Sequence, residues 1–275
     1  MTILDVSEFN GAIDWARVGE GADGAILRLG YRGYGSAGSL NTDARFAENL
    51  AGCMAAGVPT GVYWLTQAVS DAEALAEADF VHRQLAGAQL ALPVFLDSEY
   101  GQPNGSGRAD QLSPAQRTQY ALTFLRRMQA LGRRVGLYCS DNWFRTRLDG
   151  EAIRAAGACI WLARLGLQPE AACDGWQYSW EGRVPGVSGP VDLSRFADSA
   201  AETGTGAPAH AYSEQARRWA VATGLIRGSG GNPPDYLWED YLTREQLVTM
   251  LYRAAGEPKA SFQLDGYRDS ALISA

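Results

Sequence analysis

Ala91-Leu92-Pro93-Val94-Phe95-Leu96-Asp97-Ser98-Glu99-Tyr100 is the stretch whose reading decides the fold. It begins as an unbroken apolar run, the mark of a strand buried on both faces. It ends in two carboxylates separated by one serine. In an extended chain, residues i and i+2 point to the same side, so Asp97 and Glu99 leave the strand together. Two close carboxylates do not both ionise cheaply, and one holds its proton to higher pH. A protonated carboxyl beside an ionised partner is the equipment of glycoside hydrolysis. An isolated D-x-E is also a common polar strand end, so its meaning rests on the rest of the chain.

Strand and helix patterns alternate on both sides of this stretch. Apolar runs predict strands at 2–6, 24–29, 60–65, 92–96, 134–139, 158–163, 175–178 and 190–193. Residues 30–40 read as a Gly-rich loop. A helix follows over 43–56, with Phe46, Leu50 and Met54 on one face and Gly57 as its stop. Ser70-Asp71-Ala72-Glu73 is a capping box opening a helix that runs to about Leu85. Ser113-Pro114-Ala115-Gln116 caps another, which aligns Tyr120, Phe124 and Met128 and ends at Gly132. The fold class this predicts is α/β, an irregular (β/α)8-type barrel with a small helical C-terminal module. A doubly wound sheet is the competing topology. The last strands follow short connections, so the irregularity is expected there.

Composition narrows the function classes. A chain of 275 residues holds one barrel of about 200–250 residues with some to spare. Its 46% hydrophobic and 20% charged residues are those of a globular protein. A net charge of −7 disfavours nucleic acid as a partner. No apolar run approaches the length of a membrane span. Met1-Thr2-Ile3-Leu4-Asp5 lacks the features of a signal peptide. Cys53, Cys139, Cys159 and Cys173 have no zinc-type spacing and are expected as free thiols. His82 and His210 lie too far apart in sequence to suggest a metal site or a Ser-His-Asp site. No metal or cofactor is expected.

In a parallel barrel, functional groups collect at the C-terminal strand ends. The ends present Asp5; Tyr63 and Trp64; Asp97 and Glu99; Tyr138; Trp161; Gln177 and Tyr178; and Asp192. Four acids and several aromatics thus meet at one mouth. Sugars offer flat apolar faces and many hydroxyls, which such a set suits. Plain barrel core is the alternative for Tyr138 and Trp161. Asp14 reads as a helix cap. Gly33-Tyr34-Gly35-Ser36-Ala37-Gly38 fits the dinucleotide pattern G-x-G-x-x-G, but no helix starts at its third glycine. A flexible rim loop is the better reading there, as for 101–110.

These strand ends carry a resemblance. Asp5-Val6-Ser7-Glu8-Phe9-Asn10-Gly11-Ala12-Ile13-Asp14-Trp15 resembles the opening of glycoside hydrolase family 25, the Chalaropsis-type lysozymes. Arg28-Leu29-Gly30-Tyr31-Arg32, Gly61-Val62-Tyr63-Trp64, Leu96-Asp97-Ser98-Glu99, Gly136-Leu137-Tyr138-Cys139-Ser140, Ile160-Trp161-Leu162-Ala163, Trp176-Gln177-Tyr178 and Val191-Asp192-Leu193 follow in order. The resemblance covers 1–197. It implies a muramidase that cuts the β-1,4 bond between N-acetylmuramic acid and N-acetylglucosamine in bacterial peptidoglycan. By position, Glu99 is then the general acid, and Asp97 stabilises developing charge or orients the substrate's acetamido group. Asp5 and Asp192 complete the catalytic acids. Arg28, Tyr63, Trp64, Tyr138, Trp161, Gln177 and Tyr178 line the sugar subsites. Trp64-Leu65-Thr66-Gln67 departs from the family's usual segment after the third strand. Substrate assistance, inversion and a covalent intermediate all remain open to a D-x-E pair acting on a 2-acetamido sugar.

Composition changes near Asp198. Residues 198–211 read as a linker and 212–275 as a small helical unit. Helices are expected at 213–223, carrying Trp219, and from a capping box at Thr243-Arg244-Glu245-Gln246 to Ala255, with Leu247, Leu251 and Ala254 inward. The unit resembles an S-layer homology module in Gly224-Leu225-Ile226-Arg227-Gly228 and Thr243-Arg244-Glu245-Gln246-Leu247. Phe262–Ser274 looks like a second copy cut short, as in a fragment of a longer protein. Such modules imply attachment to a secondary cell-wall polymer, or self-association. Lack of a leader would suit a phage endolysin, held in the host cytoplasm before release onto the wall. The rival readings are a non-catalytic glycan-binding barrel and a glycosidase acting on chitin-like polymers.

Overall fold

Alternation along the strands sorts the apolar residues into two cores, one inside a barrel and one around it. The computed structural model describes residues 1–85, 87–197, 219–225 and 244–254. Among these, one sheet contains β1 (Thr2–Val6), β2 (Gly24–Arg32), β3 (Leu40–Thr42), β4 (Thr60–Leu65), β5 (Val94–Asp97), β6 (Val135–Ser140), β7 (Cys159–Ala163), β8 (Gly175–Gly182) and β9 (Val191–Phe196). The strand order is β1-β9-β8-β7-β6-β5-β4-β2-β3, and a further β1–β2 pairing closes the ring. Eight strands therefore form a barrel, with β3 a spur on β2. Closure excludes the doubly wound alternative.

All neighbours in the ring run parallel except at β9, which is antiparallel to both β8 and β1. The connection 183–190 is too short for a parallel crossover, which takes about a dozen residues or more. Residues 30–40 differ from the expected loop. β2 continues to Arg32 and β3 folds back on it, with Gly30 opposite Thr42 and Arg32 opposite Leu40. A Cβ on Gly30 would run into the Asn41 carbonyl, so only glycine lets the hairpin close there.

The interior core is Ile3, Ile26, Leu92, Phe95, Trp161 and Phe196. Phe95 and Trp161 meet at 5.1 Å between ring centroids, Phe95 and Phe196 at 6.0 Å, in edge-to-face contacts. Gly136 and Gly175 make room for them: a Cβ on either would enter the Phe95 or Phe196 ring. This aromatic plug is the floor beneath the mouth. The outer core takes the alternate residues, among them Leu4, Leu27, Val62, Trp64, Leu96, Leu137 and Ile160.

Helices α1 (Trp15–Val18), α2 (Phe46–Ala56), α3 (Asp71–Leu85), α4 (Pro114–Ala130), α5 (Asp141–Thr146) and α6 (Gly150–Ala155) accompany the barrel. Ser113 and Gln116 form the expected capping box of α4. In α2 the inward residues are Phe46, Asn49 and Cys53, whereas Met54 is 50% exposed. That helix starts at Phe46 because Asp43 is used as a tether: its carboxylate accepts from the Arg45 and Glu8 N–H groups. Asp14 takes the N-cap position of α1 but makes no side-chain cap bond. The four cysteines are unpaired. Among the described residues, no helix is long and apolar enough to cross a membrane.

The chain divides into two units, Met1–Ala207 and Pro208–Ala275. The second contains α7 (Arg244–Ala254). Leu251, expected inward, is 60% exposed, and Val248 and Trp219 are similarly open. A unit this small cannot enclose all its apolar groups. The linker at 198–211, the first turns of the 213–223 helix, the Thr243 cap and the second copy at 262–274 lie outside the described residues.

Gly136→Ala or Gly175→Ala is expected to cost about 1–3 kcal/mol by overpacking the floor. Met54→Ala should stay within about 0.5 kcal/mol, as for other open surface positions. Urea denaturation of the three variants checks both.

Candidate active site

Period-two alternation decides which side chains reach the mouth. On β1, Ile3 and Asp5 point inward while Leu4 and Val6 join the outer core. The same parity sends Arg28, Tyr63, Asp97, Tyr138 and Gln177 inward. The register sets inward groups of neighbouring strands side by side, with Arg28 opposite Tyr63 and Asp97 opposite Tyr138. Asp192 arrives by another route. It lies near the start of β9, opposite Asp5, and reaches the mouth because that strand runs the other way.

Gln177 joins the acids. Its Nε2 donates to Asp5 Oδ2 at 3.0 Å and Oδ1 at 3.3 Å, and to Asp192 Oδ2 at 3.3 Å. Its Oε1 accepts from the Tyr138 hydroxyl at 2.7 Å. Tyr138 lies on Trp161, 4.5 Å between centroids, and the Trp161 Nε1 donates to Ser194 Oγ at 2.9 Å. Trp161 is thus the floor under Tyr138, 1% exposed, and not a wall of the mouth. On the opposite side the Arg28 guanidinium sits over the Tyr31 ring at 4.7 Å and the Phe9 ring at 5.8 Å. Arg28 is the cation among four acids, and its Nε has no hydrogen-bond partner among the described residues.

The acids share one electrostatic condition. Burial pushes the Asp5 carboxyl well up, and the Asp192 charge adds to it, against the Gln177 bond. Burial raises Asp192 too, while a bond from Asp5 opposes the rise. Burial and then the Glu99 charge push Asp97 well up, with Arg28 pulling the other way. Glu99 is open to solvent, yet the walls around it raise its carboxyl, Arg28 opposing and Asp192 adding. Burial and the neighbouring acids keep the Tyr63 and Tyr138 hydroxyls protonated far above their usual range. Asp97 Oδ1 is buried without a hydrogen-bond partner among the described residues.

Two expected subsite residues lie elsewhere. Trp64 is fully buried outside the barrel, 5.4 Å from the Phe80 ring on α3. Tyr178 is on the outer wall, with Trp176 at 5.7 Å and the Arg195 guanidinium over its ring at 5.2 Å. Each is adjacent in sequence to an inward residue, Tyr63 or Gln177, and so faces away from it. The segment 101–110 is also not the free loop expected: Asp110, 1% exposed, accepts from three of its backbone N–H groups. Sequence reasoning missed Asp110, and it missed Tyr34, whose hydroxyl bonds Arg28 from the β2–β3 hairpin. Among the described residues, no His, Cys, Asp and Glu cluster is arranged to hold a metal.

Because the folded state raises Asp97 above its unfolded value, its contribution to stability is present at low pH. That contribution is lost as pH rises through the folded value. Asp97→Asn removes the loss. Its melting temperature is expected to exceed the parent's at pH 7, by about 2–4 °C for each kcal/mol regained, and to match it near pH 3.5. Thermal melts at the two pH values check this.

A model of the glycosyl hydrolases family 25 matches residues 4–187. Lysozyme M1 of Streptomyces globisporus is 30% identical over 209 residues, covering 72% of this chain and 68% of that protein. Among solved structures, the modular autolysin LytC from Streptococcus pneumoniae, in complex with a synthetic peptidoglycan ligand, is 28% identical with a TM-score of 0.62. The match covers 70% of this chain and 46% of the autolysin, so the chain spans about half of that protein's length. A lysozyme from Streptomyces coelicolor is 28% identical with a TM-score of 0.57, over 71% of this chain and 91% of that one. The match from β1 through β8, together with the acid-lined mouth of an eight-stranded barrel, means that the chain belongs to glycosyl hydrolases family 25.

Proposed function

We propose that this chain is an N-acetylmuramidase that hydrolyses the β-1,4 bond between N-acetylmuramic acid and N-acetylglucosamine in bacterial peptidoglycan. Family membership and the likeness to an autolysin solved with a peptidoglycan ligand support the reading. The observation that carries it is Glu99: of the four clustered acids it is the one open to solvent, and its surroundings favour the protonated form. An accessible carboxylic acid is what a glycosidic oxygen needs as it leaves. Asp97 Oδ1, buried and without a hydrogen-bond partner among the described residues, can meet the substrate's acetamido N–H or the charge developing on the sugar ring. Asp5, Asp192 and Gln177 hold the opposite wall negative and fixed. Tyr63, Tyr138 and Arg28 complete the sugar-facing surface.

We also propose that the second unit anchors the enzyme to a secondary cell-wall polymer. The S-layer-homology-like residues 224–228 and 243–247 support this, as does the exposed Trp219. Pull-down of the full chain with purified walls should fall when the walls are stripped of that polymer. An equal yield from both wall preparations would sink the anchoring idea.

Glu99→Gln is expected to remain folded and to lose at least about a thousandfold in the clearing of a peptidoglycan suspension. Mass analysis of the parent's products should find N-acetylmuramic acid at the new reducing ends. N-acetylglucosamine ends, or clearing undiminished by Glu99→Gln, would contradict the assignment. Release of soluble fragments from chitooligosaccharides alone would favour the chitin-like reading.

A further inference from the structure

The sheet ends just before Glu99. The Thr66 N–H donates to the Asp97 carbonyl at 3.0 Å and the Ser98 N–H to the Tyr138 carbonyl at 2.9 Å. The next fixed point is Gly101, whose N–H donates to Asp110 Oδ1 at 2.8 Å. Asp110 Oδ2 accepts from Gly107 N–H at 2.8 Å and from Gln102 N–H at 3.3 Å. One buried carboxylate thus gathers three backbone donors just beyond Glu99. It is itself locked in place. Arg117 donates to the Ala109 carbonyl at 2.7 Å, and the Ala109 N–H donates to Gln67 Oε1 at 3.1 Å. Arg108 grips Glu73 of α3 through two bonds, at 2.7 and 2.9 Å. Tyr100 is held separately, its ring edge-on to Trp143 at 4.8 Å and its hydroxyl accepting from Arg147 at 3.1 Å.

We propose that Asp110 is a positioning residue for Glu99: by tying Gly101, Gln102 and Gly107 to one point, it fixes the backbone that aims the Glu99 carboxyl across the mouth. The proposal rests on Glu99 being the general acid. Charge-assisted bonds from three N–H groups make the clamp stiff. Glu99 lies between two anchors only three residues apart, Ser98 and Gly101, so little of its backbone is free to drift. A misplacement of about 1 Å at a reacting group costs up to about a hundredfold in rate. Gly107 fits only without a side chain, since a Cβ there would stand 2.8 Å from both Asp110 carboxylate oxygens.

Burial raises the Glu99 carboxyl where the clamped backbone holds it. Released, the carboxyl swings further into solvent and falls back toward its ordinary range. A general acid works only while protonated, so the high-pH limb of the rate profile then moves to lower pH.

The test uses the full chain with Asp110→Ala, Asp110→Asn and Gly107→Ala, on soluble peptidoglycan oligosaccharides. Asp110→Ala is expected to lower kcat by about 10–100-fold with KM within about threefold, and to shift the high-pH limb downward. Asp110→Asn, which keeps one acceptor oxygen, should recover part of both. Carboxyl 13C titration of Glu99 should follow the same downward shift without any turnover. Unchanged kcat and an unmoved Glu99 titration in Asp110→Ala would overturn the proposal. So would a loss of rate that merely tracks the folded fraction. If Asp110→Ala does not fold, Gly107→Ala decides, because its Cβ pushes the carboxylate off its donors; an unmoved titration there overturns the idea. An inactive parent would instead defeat the muramidase reading, while the titration would still decide the role of Asp110.

Discussion

The pairing of β1 with β2 closes the ring, and the chemistry depends on that closure. Ile3 opposite Gly24 and Val6 opposite Leu27 bring the first strand of the chain against the second in parallel. β9 then seats itself on the other edge of β1, antiparallel. Without this closure Asp5 would belong to an open sheet edge, far from Asp97. With it, four carboxylates from three strands and one strand-end turn share a hollow, and the aromatic floor of Phe95, Trp161 and Phe196 keeps water from beneath. Small residues matter as much as large ones here, since the floor fits only because Gly136 and Gly175 leave room.

Gathering like charges in a closed space works against folding. Burial raises the proton affinity of all four acids, most strongly at Asp5 and Asp97, and repulsion between carboxylates adds to it at Asp5, Asp97 and Glu99. Arg28 is one cation set against four acids. The Gln177 amide, bonded to both Asp5 and Asp192, offsets part of the remaining repulsion. The same feature that makes the mouth costly makes its carboxyls hold their protons to higher pH, which favours the acid form that cleavage of a glycosidic bond draws on. Stability and activity therefore draw on these groups in opposite directions.

Support for the mouth comes from beneath and from beside it. Trp161 carries Tyr138, which bonds Gln177, which bonds two acids, so a floor residue is linked to the acidic wall through three contacts. At the rim, Arg108, Arg117, Gln67 and Asp110 turn a glycine-rich segment into a fixed one. Glycine content alone says nothing about mobility when the Gly101 and Gly107 N–H groups meet the Asp110 carboxylate and the Gly105 N–H meets the Gln102 carbonyl.

Arg28 enters only through the family resemblance; the patterning of the sequence by itself determined the barrel, the acid pair at the end of its fourth predicted strand, and the set Asp5, Tyr63, Tyr138, Gln177 and Asp192 that joins it. Those are legible because period-two alternation and the crowding of polar groups at strand ends are local properties of the chain. The same alternation, applied to Tyr63-Trp64 and Gln177-Tyr178, forbids both members of either pair from facing inward, and the structure turns Trp64 and Tyr178 away from the mouth. The short connection before β9 implied irregularity there, and the structure shows it as a reversed strand. Only the tertiary structure decided how far each proton affinity rises, that Trp161 is floor, and that Asp110 gathers three backbone donors beside Glu99. Those depend on distances between residues remote in sequence, and on how much water the closed ring excludes, which no local pattern encodes.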